Sequence, residues 1–99
     1  MIKKRISVSG RISGTRDYAC RFAAAETRLI LRGHDAINPV KRTKKGKYAD
    51  MIRADLRLID ECDAVYMLKD WMQSQGARLE HDYAAATGKE IIYEEDEKQ

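Results

Sequence analysis

The chain has almost none of the residues that would mark a metal centre, a redox motif or a membrane segment. It holds two cysteines and two histidines in 99 residues. Cys20 and Cys62 are far apart and no Cys-x-x-Cys occurs, which excludes dithiol redox and zinc-ribbon chemistry. His34 and His81 are isolated and lack ligand spacing, so no metal and no cofactor is expected. Both cysteines read as small buried core residues, in keeping with a reducing compartment. No apolar run approaches the roughly 18–20 residues that cross a bilayer. The best candidate, Ala64-Val65-Tyr66-Met67-Leu68, is strand-sized and bounded by Asp63 and Lys69. Met1-Ile2-Lys3-Lys4-Arg5 has the charge of a signal n-region, but Ile6 to Arg11 is too polar for the apolar stretch that must follow. A cytoplasmic protein with no membrane partner is the expectation. With one proline, six glycines and no repeat or low-complexity stretch, a single domain over 1–93 is expected. Residues 94–99 read as a charged, frayed tail.

What is present is an ordinary globular balance, 43% hydrophobic and 35% charged. The net charge is 19 − 16 = +3. That excess is local: Lys41, Arg42, Lys44, Lys45 and Lys47 crowd one loop, while Glu94-Glu95-Asp96-Glu97 is acidic. A basic loop suits phosphate or nucleic acid, or is simply solvated surface. No aromatic is interleaved in the cluster to stack bases, which argues against a dedicated nucleic-acid binder. A chain this short buries only about 60–65% of its surface, so a shared dimer core would help it.

Patterning gives alternating strands and helices. Ile2, Ile6 and Val8 predict a strand over 2–9. A helix capped by Thr15 or Ser13 and running to Arg32 follows, with Tyr18, Phe22, Ala25 and Leu29 on one row, Ala19, Ala23 and Ile30 on the next, and Gly33 closing it. A short strand over 35–38 stops at Asn38-Pro39. Then come the basic loop, a helix over Tyr48–Glu61, a strand over Ala64–Leu68 and a loop over Lys69–Gln73. Ser74 caps a helix over Gln75–Thr87, ended by Gly88, and Glu90–Tyr93 is the last strand. This order predicts an α/β fold, flavodoxin-like and three-layered, with a four-stranded parallel sheet in the order 2-1-3-4. Ligands of such sheets sit beyond the carboxyl ends of the strands, at the switch between strands 1 and 3. The loops over 9–16, 38–47 and 69–76 are therefore where binding residues are sought.

Ser9-Gly10-Arg11-Ile12-Ser13-Gly14, followed by Arg16, offers turn glycines, helix N-terminal N–H groups and two cations. It is a candidate phosphate cradle, with a plain strand-to-helix turn as the alternative. Ser74 and Gly76 repeat the arrangement at the third long helix. Glu80 lies on a helical face of small residues, with Ala77, Ala84 and Thr87 at i−3, i+4 and i+7. A carboxylate there loses water and must be paired or used; the alternative is an ordinary surface Glu. Asp55 falls inside the apolar stripe of Met51, Ile52, Leu56 and Ile59. It either borders a polar pocket or pairs with Arg53 or Arg57. Trp71 reads as a pocket lid or as a hydrophobic plug.

Together these motifs resemble a known pattern. Ser9-Gly10-x-Ile12-Ser13-Gly14, Asn38-Pro39, Asp55-Leu56, Cys62-Asp63-Ala64-Val65-Tyr66-Met67-Leu68 and Trp71-x-x-Ser74-x-Gly76-Ala77-x-x-Glu80 are similar to a family of small uncharacterised phage and bacterial domains. Those in turn are similar to nucleoside deoxyribosyltransferases and deoxynucleoside-monophosphate N-glycosidases. The resemblance implies a nucleotide or nucleoside ligand and a homodimer, with Glu80 as the nucleophile at C1′ of a deoxyribose. It implies that Asp55 helps bind or protonate the base. Ser74 then binds phosphate, as do Ser9, Gly10, Arg11, Gly14 and Arg16 of the first loop, with Asn38 and Gly76 completing the ligand set. Ser7 stands where such enzymes usually carry a Tyr that orients the nucleophile. Three readings follow: an N-glycosidase or deoxyribosyltransferase, a non-catalytic nucleotide-binding or sensor module, and a basic-loop accessory to nucleic acid.

Overall fold

The central strand organises the molecule. In a computed structural model that describes residues 2–97, β1 (Arg5–Ser9) is buried at every position after Arg5. It pairs in parallel with β2 (Asp35–Ile37) on one side and β3 (Ala64–Met67) on the other, and β4 (Glu90–Tyr93) adds beyond β3. The order is β2-β1-β3-β4, the flavodoxin-like arrangement. The helix α1 (Tyr18–Leu31) covers one face. The single turn α2 (Pro39–Arg42) follows β2. Two long helices, α3 (Tyr48–Asp60) and α4 (Gln75–Ala86), cover the second face.

Alternation along the strands divides the core. Ile6 and Val8 of β1 and Ala64 and Tyr66 of β3 pack with Phe22, Ala25 and Leu29 of α1. Val65 and Met67 pack the other way, on Ile59 of α3 and Ala77 and Ala84 of α4. The remaining β1 positions, Ser7 and Ser9, fall on the α3/α4 face and are each 2% exposed. An apolar-serine alternation ordinarily marks a half-wet strand. Here helices cover both faces, so the serines are interior groups that require partners.

Several boundaries differ from the sequence expectation. The first strand begins at Arg5, and Ile2 is exposed. The first helix begins at Tyr18 because the Thr15 hydroxyl and amide both donate to the Ile12 carbonyl, closing a turn first. Asn38 starts a helix rather than a loop: its side chain accepts from the Val40 amide at 3.0 Å, and Pro39 takes the first helical position. Trp71–Gln73 is a 3-10 turn rather than an open loop. Cys20 is exposed, and so are Ala19 and Ile30. The face of α1 turned inward is the single row through Phe22, Ala25 and Leu29, and these residues lie off it. Cys62 is buried, and burial pushes its thiol up to about 11.

The acidic end differs too. Glu94–Asp96 forms a 3-10 turn. Glu94 pairs with Arg28 at 2.7 Å and Glu97 with Arg32 at 2.5 Å. The buried Tyr66 donates its hydroxyl to Glu97 at 2.5 Å. Residues 94–97 are thus held against α1, and the last two positions of the expected frayed tail lie outside the described residues. Among the described residues, no helix is long and apolar enough to cross a membrane.

Candidate active site

Two close backbone approaches shape a cleft at the carboxyl ends of β1 and β3. The first is at Gly10. The Leu68 amide donates to the Ser9 carbonyl at 2.8 Å, bringing the chains together so tightly that a Cβ on Gly10 would stand 2.7 Å from Leu68 Cδ1. The second is at Gly76 in the first turn of α4, where a Cβ would meet Tyr48 Oη at 3.0 Å and Ile52 Cδ1 at 3.1 Å. Glycine there lets α3 and α4 close on each other. Ser74 caps α4 by accepting from the Ala77 amide at 3.1 Å.

The loop after β1 forms one wall. Arg11 donates from Nε to the Ser13 carbonyl at 3.1 Å and from its guanidinium to Gln73 Oε1 at 3.0 Å. Asp70 accepts from the Arg11 amide at 3.3 Å and pairs with Arg21 at 2.9 Å. These bonds tie the two loops into one rim. The cleft encloses about 440 Å³ and is lined by Gly10–Ser13, Tyr48, Met51, Ile52, Asp55, Gln73–Ala77 and Glu80.

Two carboxyl groups line it. Glu80 is 8% exposed and accepts from the Ser9 hydroxyl at 2.5 Å. Asp55 accepts from the Thr43 hydroxyl at 2.6 Å. Burial drives the Glu80 carboxyl up to about 8, and the neighbouring Asp55 charge adds to this; the Ser9 bond pulls partly back. Asp55 is raised as well, first by burial, against the hydrogen bonds from Thr43 and Glu80. Among the described residues, no cation stands beside either group to relieve the pair. Two desolvated carboxyls in contact cannot both ionise cheaply, so they hold one proton between them near neutral pH. Such a pair can supply a carboxylate and a carboxylic acid at once.

Of the residues singled out in the sequence, Glu80, Asp55, Gly10, Arg11, Ser74 and Gly76 meet at this cleft. Ser9 lies beneath it, its hydroxyl turned to Glu80 rather than to the open space. Gly14, Arg16 and Asn38 do not line it. Gly14 completes the turn after β1 at φ 81°, and Arg16 is exposed on that turn. Asn38 is used up structurally, capping α2 and donating to Glu26 at 3.2 Å. Asp55 is not paired with Arg53, which bridges Asp50 instead. Trp71 is a plug and not a lid: it packs on the core beneath α4 and stacks on His81 at 4.2 Å.

Sequence reasoning missed Thr43, Gln73 and Tyr48. Tyr48, Met51, Ile52 and Asp55 stand at i, i+3, i+4 and i+7, one helical face, and that spacing was visible. A larger groove of about 680 Å³ runs beside β2, lined by Lys3, Arg5, His34, Asp35, Arg42 and Glu61 among others. It contains no buried carboxyl pair. Among the described residues, no three His, Cys, Asp or Glu side chains gather to hold a metal ion.

Comparison with known proteins bears on this geometry. A family model described as a domain of unknown function (DUF4406) matches residues 4–93. No curated protein gives a significant match. Among solved structures, a 2-desoxiribosyltransferase from Leishmania mexicana superposes with a TM-score of 0.72 at 19% identity. The superposition covers 91% of this chain but spans only 63% of that one. At that identity the likeness is one of fold.

Proposed function

The chain belongs to the DUF4406 family, and from that premise we propose that it binds a nucleoside or nucleotide and cleaves or transfers its N-glycosidic bond. Glu80 is the nucleophile and Asp55 the acid. The observation that carries this reading is the Glu80–Asp55 carboxyl pair lining the cleft, Glu80 buried and Asp55 half-buried, with a hydroxyl fixed on each. Moving the shared proton from Glu80 to Asp55 leaves a carboxylate free to attack C1′ and an acid ready to protonate the departing base. The C1′–N bond breaks as the C1′–O bond to Glu80 forms, through an oxocarbenium-like transition state. Water or a second base then attacks C1′ and releases Glu80. The N–H groups at the start of α4, with Ser74 and Arg11 beside them, suit a 5′-phosphate. The shared fold with a deoxyribosyltransferase supports the same substrate class.

A two-fold homodimer through α3 and α4 accompanies this reading. Met72 and Leu79, which flank that face, are 62% and 46% exposed, and a partner there would cover them. Sedimentation equilibrium at micromolar concentration is expected to give a species of twice the chain mass; a monomer would remove this part of the proposal. A binding module without turnover is the second reading. Ser7 favours it, since its short side chain stands where the similar enzymes usually carry Tyr.

The deciding experiment incubates the protein with deoxynucleosides and their 5′-monophosphates and measures free base by chromatography. Base release that Glu80→Gln abolishes and Asp55→Asn slows supports the enzyme. Saturable binding with no base released by any substrate selects the binding module. Absence of both binding and release overturns the nucleotide reading altogether.

A further inference from the structure

The positive surplus of this protein lies in one loop beside the cleft. Residues 41–47 hold five cations, and no acid occurs between Asp35 and Asp50. Outside the loop the balance reverses, with 19 − 5 = 14 basic residues against 16 acidic ones. Among the described residues, Lys41 bridges Glu26 at 3.0 Å, while Lys44, Lys45 and Lys47 are exposed and in no ion pair. Like charges packed this closely repel one another, and an anion relieves that repulsion.

The loop is anchored to the cleft at both ends. At one end Thr43 donates to Asp55, and at the other Tyr48 lines the cleft. The three lysines stand between those anchors. Tyr48 is 56% exposed, so an aromatic face sits at the end of the cationic run, a combination that suits stacked bases and their phosphates. The sequence pattern conceals this, because Tyr48 follows the cluster rather than interrupting it. The bottom of the cleft is lined by carboxyls and repels anions, so a ligand's phosphates must lie on the rims. Arg11 and the start of α4 are enough for a single phosphate. Three lysines in the loop that joins the cleft at Thr43 and Tyr48 exceed what one phosphate needs.

We propose that Lys44, Lys45 and Lys47, with Tyr48, hold a chain of phosphates, so that the preferred ligand carries more than one phosphate. Its source is either a nucleoside triphosphate or the end of a short single strand. The inference deepens the nucleotide reading and rests on it for the nucleoside part alone.

Calorimetric titration compares Glu80→Gln protein, chosen to prevent turnover, with the same protein also carrying Lys44→Ala, Lys45→Ala and Lys47→Ala. The probes are inorganic tripolyphosphate, deoxyadenosine, dAMP, dATP and a five-nucleotide single strand. At low salt, dATP or the pentanucleotide is expected to bind at least about tenfold more tightly than dAMP, and the triple substitution to erase that gain. Deoxyadenosine affinity should stay within about twofold. The slope of log affinity against log salt should fall by roughly one per lysine removed. A gain confined to dATP points to free nucleotides, and one confined to the pentanucleotide points to strand ends. Tripolyphosphate binding that depends on the lysines, with no deoxyadenosine binding to either protein, keeps the phosphate site and sinks the nucleoside reading. Equal binding of tripolyphosphate, dATP and the pentanucleotide by both proteins overturns the proposal.

Discussion

Replacing Glu80 by Gln should make the protein more stable at neutral pH, and the size of the gain should grow with pH. The native Glu80 carboxyl holds its proton up to about 8, against an ordinary 4.5. Between those values the folded state binds more protons than the unfolded state. Stability therefore falls as pH rises through that window, and is undiminished only below about 4.5. Each pH unit is worth about 1.4 kcal/mol. At pH 7 the span of 7 − 4.5 implies a cost of about 3 kcal/mol, reaching about 5 kcal/mol once pH exceeds 8. Gln has the shape of the protonated acid, can still meet the Ser9 hydroxyl, and can donate to ionised Asp55. It removes the cost without opening a cavity. For a domain of this size the gain at pH 7 corresponds to a melting temperature about 10–20 °C higher. Thermal unfolding of both proteins from pH 4.5 to 8.5 checks this. The gap should be near zero at the acid end and widen steadily. A gap independent of pH, or a loss of stability at every pH, would refute the shared-proton account of the pair. The same variant should release no base, so stability and activity move in opposite directions, as expected of a strained functional group.

Three further outcomes are expected. Ser9→Ala removes the donor to ionised Glu80, so the Glu80 carboxyl should titrate higher still by ¹³C NMR; base release at pH 7 should fall roughly 10–100-fold and partly recover above pH 8 or with Ser9→Thr. An unchanged Glu80 titration would remove Ser9 from the site. Gly10→Ala should cost about 1–3 kcal/mol through the clash with Leu68, whereas Gly46→Ala, with nothing within 4 Å of the added Cβ, should unfold at the wild-type denaturant midpoint. Tyr66→Phe should cost about 1–2 kcal/mol by breaking the bonds to Glu97 and Arg28; a stability equal to wild type in urea unfolding would show that the acidic turn is not held through Tyr66.

The architecture was legible in the residues because it rests on local periodicity. Strands of three to five residues alternating with amphipathic helices, bounded by Gly33, Ser74, Gly88 or Asn38-Pro39, leave a parallel sheet as the economical solution, and its order follows from the connections. Glu80 was conspicuous for the same reason: a carboxylate among alanines on a helical face is an exception to a regular pattern. Gly10 and Gly76, which line the cleft, were visible as breaks in otherwise regular elements.

Only tertiary structure decided what each polar group faces. Ser9 reads as a phosphate-binding residue of the loop after β1 until α4 covers that face and turns it into the partner of Glu80. Asn38 and Arg16 read as ligand residues because they sit on the right loops. Which way those loops turn depends on contacts with Glu26 and with the turn after β1, and no local pattern encodes them. Thr43 carries no signal of its own. Its hydroxyl matters because the basic loop folds back on Asp55, bringing residues 12 positions apart to 2.6 Å. The pairing of Asp55 with Glu80 joins two helices, and with it comes the low dielectric that leaves two carboxyls a single proton. Periodicity decides which residues are buried, but proton sharing depends on the distance between side chains and the water excluded around them, and those exist only once the helices have packed.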